Sequence, residues 1–315
     1  MSQIIAVDLG GTNIRTAYFP RPEPPPDSQS KVPTNANEGP EAVLSRLFKA
    51  IESEIPSHAG NLIISIGAPG PLDPFQGVIL EAPNLPGWID LPLQDLITAR
   101  FECPVVLGND ANIAALGEWR FGAGRGTKNM IYITISTGIG SGVIVDGNLF
   151  LGSRGLAGEL GHMTLDPSGP RCGCGRIGHI ESLASGTAIA RNAEMLVNQG
   201  GASKLKETLD DQGHLSSLDV GEAAASGDEL ALSIIQDAAR WIGHHLADLT
   251  HAFNPELIVL GGGVARLGEM LFEPIVSSLQ DHVMHPAYVQ GLRIEPAQLG
   301  DDAGLIGAMV LASRA

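Results

Sequence analysis

Short apolar runs that end at glycine-rich segments recur along this chain of 315 residues. Such runs predict buried strands, which lie at residues 4–8, 14–19, 62–66, 104–107, 130–135, 143–145, 257–260 and 292–294. Between them, apolar residues recur at a spacing near 3.6, which predicts helices at residues 40–55, 111–121, 187–199, 229–253, 268–280 and 304–312. Strands that alternate with helices indicate an α/β fold, and the length indicates two domains of ordinary size.

The composition indicates which cellular compartment and which kinds of partner suit this chain. Hydrophobic residues make up 43% of it, yet no apolar run approaches the roughly 18 residues that a membrane span needs, so we expect a soluble protein. The first residues carry neither a basic segment nor an apolar run of signal-peptide length, which favours the cytoplasm. The 19 basic and 35 acidic residues leave a net charge of −16, which repels nucleic acids and anionic membranes.

A short glycine-rich segment, residues 158–185, holds a cluster of metal-binding residue types. His162, Cys172, Cys174 and His179 supply two imidazoles and two thiols, the donors that zinc prefers, so the pattern predicts a structural zinc site. The alternatives are ordinary loop residues or a disulfide, but a bridge between cysteines two residues apart is strained, and three cysteines give no even framework. Three glycines of this segment also match a dinucleotide-binding spacing, which we reject because no predicted strand leads into them.

Three glycine-rich loops that follow predicted strands are candidates for binding phosphate or a nucleotide. Gly10-Gly11-Thr12 follows Asp8, and Thr137-Gly138 opens a second loop that combines glycine with a hydroxyl. Glycine lets backbone N–H groups approach an anion without a Cβ in the way, and threonine adds a donor. The third loop, Gly261-Gly262-Gly263, fits either a planar ligand or an ordinary strand-to-helix turn.

Asn109-Asp110 stands where the predicted strand at residues 104–107 stops and the helix at 111–121 begins. One interpretation of Asp110 is a helix N-cap, which needs only a side-chain oxygen near free backbone N–H groups. The other is a general base at the floor of a cleft between two domains. The local pattern alone favours the cap.

Seven motifs in succession give this sequence a resemblance to a known family. The segments DLGGT, GAPGP, GND, STGIGSG, GELGH, CGCGRIGHIE and LGGG resemble the ROK family (repressor, open reading frame, kinase), in particular its glucokinase-like sugar kinases, and the resemblance runs from Ile4 to the last helix. It implies an actin-like, ribonuclease-H-like α/β fold with an interdomain cleft. Residues 1–120 and 301–315 would form the small domain and residues 121–300 the large one, in a homodimer or homotetramer.

The resemblance also implies a role for each matching position. Asp8 would hold Mg²⁺ through water, and the loops would bind ATP: Gly10, Gly11, Thr12, Thr137 and Gly138 its phosphates, and Gly261, Gly262 and Gly263 its adenosine. The hexose would be bound by a set of polar side chains: Asn84, Asn109, Asp110, Glu159, His162 and Glu181. Asp110 would be the catalytic base for the 6-hydroxyl. The resemblance therefore favours the general-base interpretation of Asp110 over the helix N-cap.

At one position the sequence departs from the family, because its usual zinc site has a third cysteine where this chain has His179. Zinc accepts both ligand sets, so we expect the metal to be retained. Glucose is the expected hexose, with mannose, fructose and N-acetylated amino sugars as alternatives. A sugar-responsive repressor is disfavoured because no helix-turn-helix precedes Asp8, and the intact loops disfavour a sugar-binding protein without catalysis.

Overall fold

The computed structural model describes residues 2–57 and 60–314. The chain divides into two compact units. The first runs to Lys128 and also contains Gly142–Gly158 and the residues from Gln298 onward, and the second comprises Asn129–Ser141 and Glu159–Ala297. The predicted domain limits stay a prediction. None of the described helices combines the length and the apolar character that crossing a membrane requires.

Strands and helices alternate along the described residues, as an α/β fold requires. The strands are β1 (Gln3–Leu9), β2 (Asn13–Phe19), β3 (Ser28–Pro33), β4 (Leu62–Ala68), β5 (Leu72–Asp73), β6 (Val78–Glu81), β7 (Ile89–Leu91), β8 (Val105–Asn109), β9 (Met130–Ile135), β10 (Ile139–Val145), β11 (Asn148–Leu149), β12 (Leu257–Gly261) and β13 (Arg293–Pro296). The helices are α1 (Pro40–Glu54), α2 (Leu93–Phe101), α3 (Asp110–Phe121), α4 (Ile180–Ala184), α5 (Gly186–Asn198), α6 (Leu205–Gln212), α7 (Ser217–Ala225), α8 (Glu229–Phe253), α9 (Glu269–His282) and α10 (Ala303–Ala312).

Every predicted strand and helix has a counterpart in the structure, with ends that differ by a few residues. The largest difference is β10, which begins at Ile139 although the sequence predicts a strand only from residue 143. The pattern does not predict β3, the short strands β5 to β7 and β11, or the helices α2 and α4. It predicts the segment that follows α5, to about residue 227, only as helical, and α6 and α7 lie there. Strands of two to four residues are too short to show the alternation of apolar and polar positions that identifies a strand.

The larger sheet of the first unit has the strand order β3-β2-β1-β4-β8. β1 and β2 form the predicted antiparallel hairpin, in which Asp8 lies opposite Arg15. β1, β4 and β8 run parallel, and the register aligns Asp8 with Gly67 of β4, while Ala68 aligns with Asn109 of β8. The carboxyl ends of these three strands therefore meet at one edge of the sheet. Ligands of open α/β sheets bind at such edges.

Apolar side chains at helical spacing attach α1 to this sheet. Val43, Leu47 and Ile51 are fully or almost fully buried, and they belong to one core cluster with Val7 and Ile64 of the sheet. Pro40 is at the first position of α1, where its missing N–H costs no hydrogen bond. Helix and sheet thus share one core, which leaves the carboxyl edge of the strands available to polar loops.

A second sheet has the order β11-β10-β9-β12-β13, in which β12 runs parallel to both β9 and β13. The longest helix of the second unit, α8, has the predicted bounds. Its N-cap Asp228 accepts a hydrogen bond from the Ala231 N–H at 3.0 Å, and Asn254 ends it in the left-handed conformation before a proline. These two signals explain why the sequence locates this helix so closely.

Helices α3 and α10 of the first unit cross at two glycines. A Cβ on Gly117 would lie 2.6 Å from the Ala303 carbonyl oxygen, and one on Gly307 would overlap the Ile113 carbonyl group. Only glycine allows the two backbones to approach this closely. The crossing matters for the site because α3 begins at Asp110 and α10 begins beside Asp8.

We expect Gly307→Ala to lower the free energy of unfolding by about 2 kcal/mol, because the added methyl group forces the two helices apart. Urea denaturation followed by circular dichroism measures the change. The matched control is Gly60→Ala, since no heavy atom lies within 4 Å of a Cβ built on Gly60. Equal free energies of unfolding for the two variants would show that the helix crossing can accommodate a methyl group.

Candidate active site

The first glycine loop is fixed by backbone hydrogen bonds. The Gly10 N–H donates to the Asn13 carbonyl at 2.9 Å, and the Gly10 carbonyl accepts from Thr34 Oγ1 at 2.6 Å. Thr12 at the tip is exposed. The loop therefore presents a rigid backbone and a hydroxyl at the carboxyl end of β1, as binding a phosphate requires.

Asp8 lies beside this loop and faces a cation. Its Oδ2 is 3.9 Å from Arg15 Nη1, and Arg15 also pairs with Asp302 at 2.7 Å. A Cβ on Gly304, in the first turn of α10, would be 2.9 Å from the Asp8 carboxyl carbon, so only glycine fits there. Burial raises the pKa of the Asp8 carboxyl, and the Arg15 guanidinium lowers it by a smaller amount.

Asn84 is held next to the same loop by an apolar anchor. Leu85 and Trp88 are buried in the core of the first unit, while Asn84 between the neighbouring prolines is exposed. A Cβ on Gly11 would lie 2.8 Å from the Cβ of Asn84, so the two residues are in close contact. The structure thus brings Asn84 together with the predicted phosphate loop.

Asn109, and not Asp110, is the N-cap of α3. The Asn109 side-chain oxygen accepts from the N–H groups of Ala111 at 3.0 Å and Asn112 at 3.2 Å, and its amide donates to the Gly70 carbonyl at 3.3 Å. The cap that the local pattern favours for Asp110 is therefore wrong by one residue. Asn109 has the extended backbone of a cap, whereas Asp110 is the first helical residue, is exposed, and accepts from the Ala111 N–H at 2.8 Å.

Two glycine loops of the second unit lie side by side. Thr134 of β9 is aligned with Gly261 of β12 in parallel register, so the loops after both strands leave the same edge of the sheet. Gly262 has a φ of +86° and no space for a Cβ, because the Ile135 carbonyl fills it. Gly263 faces open space instead. The loop at Thr137-Gly138 and the loop at Gly261-Gly263 are therefore neighbours, as a shared nucleotide site requires.

Glu181 contacts both the Thr137-Gly138 loop and Cys172. Its Oε2 accepts from the Ile139 N–H at 3.0 Å and occupies the space that a Cβ on Gly138 would need. Its Oε1 lies 3.2 Å from Cys172 Sγ. Glu159 is close enough to Glu181 and His162 for both to affect its pKa, which is raised mainly by burial. Glu159, His162 and Glu181 are thus grouped in the second unit.

The four predicted metal ligands converge. One donor atom from each of His162, Cys172, Cys174 and His179 lies within 4.8 Å of the other three. Each imidazole Nδ1 approaches a thiol, at 3.7 Å from His162 to Cys172 and at 3.3 Å from His179 to Cys174. All three cysteines of the chain are free. Two sulfur and two nitrogen donors in this arrangement fit a tetrahedral metal ion.

Local backbone geometry explains how the segment folds onto itself. The Cys172 N–H donates to the Arg176 carbonyl at 2.7 Å, which closes a tight turn around both cysteines. Gly178 has a φ of +75° and packs against the Asp166 carbonyl where a Cβ would overlap it. Burial raises the pKa of the Cys172 thiol to about 12 and lowers that of His179. A metal ion would have to displace the Cys172 proton, whereas the lowered pKa of His179 favours the neutral imidazole that a metal ion binds.

Two polar contacts near the site are absent from the sequence-based prediction. Arg15 pairs with Asp8, and the hairpin register, which places these residues opposite each other, was the available signal. Ser141 Oγ accepts from the Leu160 N–H at 3.0 Å and so fixes the turn that carries Glu159 and His162. The residues 141 and 160 are far apart in sequence, so no local pattern indicates this contact.

Comparison with known proteins identifies the class to which this fold and these loops belong. The model of the ROK family matches residues 4–315. A glucokinase of Halalkalibacterium halodurans is 40% identical over 308 residues, covering 96% of this chain and 92% of that protein. A glucokinase of Thermotoga maritima is 34% identical and covers 97% of this chain and 96% of its own. The chain therefore belongs to the ROK family, and the predicted resemblance is confirmed.

A solved structure extends the comparison to the fold. The crystal structure of a ROK family glucokinase from Streptomyces griseus, in complex with glucose and AMPPNP, is similar to this chain with a TM-score of 0.84 and 36% identity, and the similarity covers 100% of both chains. The α/β sugar kinase fold predicted from the sequence is thereby confirmed. The roles of the individual residues stay predictions.

The raised pKa of Asp8 gives a prediction with a defined sign. Because the pKa is higher in the folded protein than in the unfolded chain, ionised Asp8 costs stability at neutral pH, and this cost disappears as the pH falls towards 4. We expect Asp8→Asn to increase the free energy of unfolding at pH 7, and the increase to be smaller at pH 4. Urea denaturation at the two pH values measures it.

The control is Asp27→Asn, which removes an exposed carboxylate from the same unit. It should leave the pH dependence unchanged, while Arg15 keeps its partner Asp302 in both variants. A loss of stability in Asp8→Asn at pH 7 would mean that the Arg15 pair outweighs the cost of burial.

Proposed function

We propose that this chain is an ATP-dependent hexose kinase that phosphorylates the 6-hydroxyl of glucose. The placement of Asp110 is the observation that carries the proposal. Its carboxylate is exposed at the carboxyl edge of parallel strands, and Asn109 performs the capping that would otherwise explain an acid there. The glucokinases of two bacteria, similar over nearly the whole chain, support glucose as the substrate. The solved glucokinase with bound glucose and AMPPNP supports ATP as the donor.

Asp110 would act as the general base. The hydroxyl of a sugar becomes an effective nucleophile when a group within hydrogen-bond distance accepts its proton in the transition state. The first turn of α3 fixes the Asp110 carboxylate through the Ala111 N–H, and the positive end of the helix favours its negative charge. The carboxylate would take the proton of the 6-hydroxyl as the oxygen attacks the γ-phosphoryl group in line.

The glycine loops would bind the nucleotide. Backbone N–H groups of Gly10, Gly11, Thr12, Thr137 and Gly138 would donate to phosphate oxygens. Gly261, Gly262 and Gly263 would lie against the adenosine, and the open space at Gly263 suits this role. Mg²⁺ bound with the nucleotide would neutralise charge on the phosphates. Asp8 would hold it through water, for which its carboxylate beside the first loop is suited.

The sugar would be recognised by carboxylates, amides and one imidazole. A neutral hexose presents adjacent hydroxyls, each of which donates and accepts, and a wrong hydroxyl leaves buried polar groups unpaired. The side chains that we propose for this role are Asn84, Asn109, Asp110, Glu159, His162 and Glu181. Because Glu181 is bound on its other side by the Ile139 N–H, its orientation would be set before the sugar arrives.

A coupled assay of ADP release across glucose, mannose, fructose, N-acetylglucosamine and N-acetylmannosamine tests the activity. We expect the highest kcat/KM with glucose. A higher value with another of these sugars would change the substrate and leave the kinase proposal intact. No ADP release with any of them would contradict the proposal and favour a protein that binds sugar without catalysis.

Asp110→Asn tests the mechanism. Asparagine has the same shape and cannot accept the proton, so we expect kcat to fall by at least about a thousandfold while glucose still binds. Isothermal titration calorimetry measures the binding, and the matched control is Asp95→Asn, an exposed helical carboxylate of the same unit. Near-normal turnover in Asp110→Asn would refute the role of Asp110 as base.

We also propose that the cluster of His162, Cys172, Cys174 and His179 holds a structural zinc ion. The convergence of the four donors supports this, with His179 as the fourth ligand in place of a cysteine. When bound, zinc would provide positive charge and a fixed geometry and would take no part in the reaction. His162 and the Cys172 neighbour Glu181 would then be held at the sugar.

The expected metal content is one zinc per chain in protein purified without chelators, measured by inductively coupled plasma mass spectrometry. Cys174→Ser should lose the metal and raise the KM for glucose. His179→Cys should keep it, since zinc accepts either ligand set. Well under one zinc per chain in the unaltered protein would contradict the assignment.

We expect the enzyme to work in the cytoplasm as a homodimer or homotetramer, with ATP and a hexose as its small-molecule partners. The net charge of −16 supports the absence of a nucleic-acid partner. Size-exclusion chromatography with light scattering measures the oligomeric state.

A further inference from the structure

Glu118, in α3, is a fully buried acidic side chain to which the proposed chemistry assigns no role. Its Oε1 accepts from the Leu299 N–H at 2.7 Å, and its Oε2 accepts from the N–H groups of Ala123 at 3.0 Å and Gln298 at 3.1 Å. Burying a charge is costly unless hydrogen bonds compensate for the lost water, and backbone donors provide that compensation here. The Glu118 carboxylate therefore fixes the backbone of residues 298 and 299 against α3.

The backbone that Glu118 fixes leads directly into a tight turn. Gly300–Asp302 form a 3-10 turn, and α10 begins at the next residue. None of these three turn residues is buried, so apolar packing does little to position the turn. Its position depends instead on polar contacts, and the contacts at its start are the hydrogen bonds to Glu118.

The same turn binds Arg15, the cation beside Asp8. Arg15 donates to the Asp301 carbonyl and, at 2.7 Å, to the Asp302 carboxylate. Its Nη1 is 3.9 Å from Asp8 Oδ2, which is too long for a hydrogen bond. The direct hydrogen bonds of the guanidinium are thus made with the turn, and its interaction with Asp8 is the weaker one.

A guanidinium and Mg²⁺ are both cations, so they compete for one carboxylate. Without the turn, Arg15 would be free to form a direct ion pair with Asp8, and this pair would occupy the oxygens that hold the water shell of Mg²⁺. The contacts of Arg15 with the turn prevent this, because they keep the guanidinium at a distance from Asp8.

We propose that Glu118 is a positioning residue for the magnesium site, because it fixes the turn Gly300–Asp302. The fixed turn holds Arg15, and Asp8 stays available to Mg²⁺ bound with the nucleotide. The inference rests on the proposed kinase function and on the role proposed there for Asp8. It also explains why a charged side chain is kept at a fully buried position of α3.

The test measures the binding of AMPPNP to the full chain by isothermal titration calorimetry, in buffers with and without Mg²⁺. Glu118→Gln keeps the shape of the side chain, but one oxygen is replaced by an amide that cannot accept from a backbone N–H. We expect the gain in affinity that Mg²⁺ produces to fall about tenfold, the size of one hydrogen bond to a charged group. The affinity without Mg²⁺ should stay unchanged.

The dependence of turnover on Mg²⁺ is the second readout. In Glu118→Gln the half-saturating concentration of Mg²⁺ should rise, while the KM for glucose stays within about twofold of the unaltered value. The matched control is Glu41→Gln, which removes an exposed helical carboxylate of the same unit and should change neither quantity. Should Glu118→Gln fail to fold, Glu118→Asp takes its place, because it keeps the charge but withdraws the oxygens from the backbone donors.

Asp302→Asn tests whether the effect acts through Arg15. The neutral side chain binds the guanidinium more weakly, so the gain in AMPPNP affinity from Mg²⁺ should fall here too. In the double variant Glu118→Gln/Asp302→Asn, the combined loss should be smaller than the product of the two single losses, because both changes act on Arg15. Two losses that multiply fully would overturn the inference.

The remaining outcomes separate the inference from the proposed function. An unaltered protein that neither binds AMPPNP nor phosphorylates a hexose contradicts the proposed function itself. If the unaltered protein gains affinity from Mg²⁺ and Glu118→Gln gains as much, the inference alone is wrong. A variant that loses AMPPNP affinity equally with and without Mg²⁺, or whose KM for glucose rises in parallel, assigns Glu118 a general packing role and also overturns the inference.

Discussion

The site residues of both units depend on one constraint. At the ends of several strands another group approaches the backbone so closely that a Cβ would not fit. Gly11 lies against Asn84, and Gly304 lies against the Asp8 carboxylate. In the second unit, Gly138 lies against Glu181 and Gly262 against the Ile135 carbonyl. Each contact brings a polar group within reach of a backbone that can bind an anion. Glycine is required at these positions because the neighbouring group is too close for a Cβ, and not only because of the backbone angle φ.

The net charge of the chain bears on how a nucleotide would be attracted to these glycine loops. ATP is a polyanion, whereas the protein has a net charge of −16. Arg15 is the cation that pairs with Asp8 beside the first glycine loop, and its charge is shared between Asp8 and Asp302. Attraction of the nucleotide would therefore depend on oriented N–H groups and Mg²⁺, both of which act over short distances and leave the overall charge free to maintain solubility.

Much of the fold could be predicted from the sequence because its local signals agree. Helix α8 combines an apolar stripe of period 3.6 with a capping aspartate and an Asn-Pro stop, and its predicted bounds match those observed. β10 shows the limit. After Ile139 its next three residues, Gly-Ser-Gly, are poor strand formers, and pairing with β9 in the folded sheet makes them part of the strand. The short strands β5 to β7 depend in the same way on contacts that no local pattern reports.

The candidate site, like the fold, could be predicted only in part. The chemistry of Asp8, the glycine loops and the cysteine cluster is visible in residue types and spacing. The identity of the α3 cap is not, because Asn109 and Asp110 can both cap a helix and the choice is made by backbone angles one residue apart. The pairing of Ser141 with Leu160 arises from packing between distant segments.

The cysteine cluster also has a consequence for the assembly of the enzyme in a cell. The segment from His162 to His179 is rich in glycine and polar residues, and little apolar side chain holds it in one conformation. Joining the ends of a loop of this length removes chain entropy worth about 3 kcal/mol from the unlinked state, which the metal would offset. The sugar contacts proposed near its two ends would then be correctly placed only in chains that have acquired an ion. Zinc supply would set how many of the synthesised molecules are active, independently of sugar or ATP.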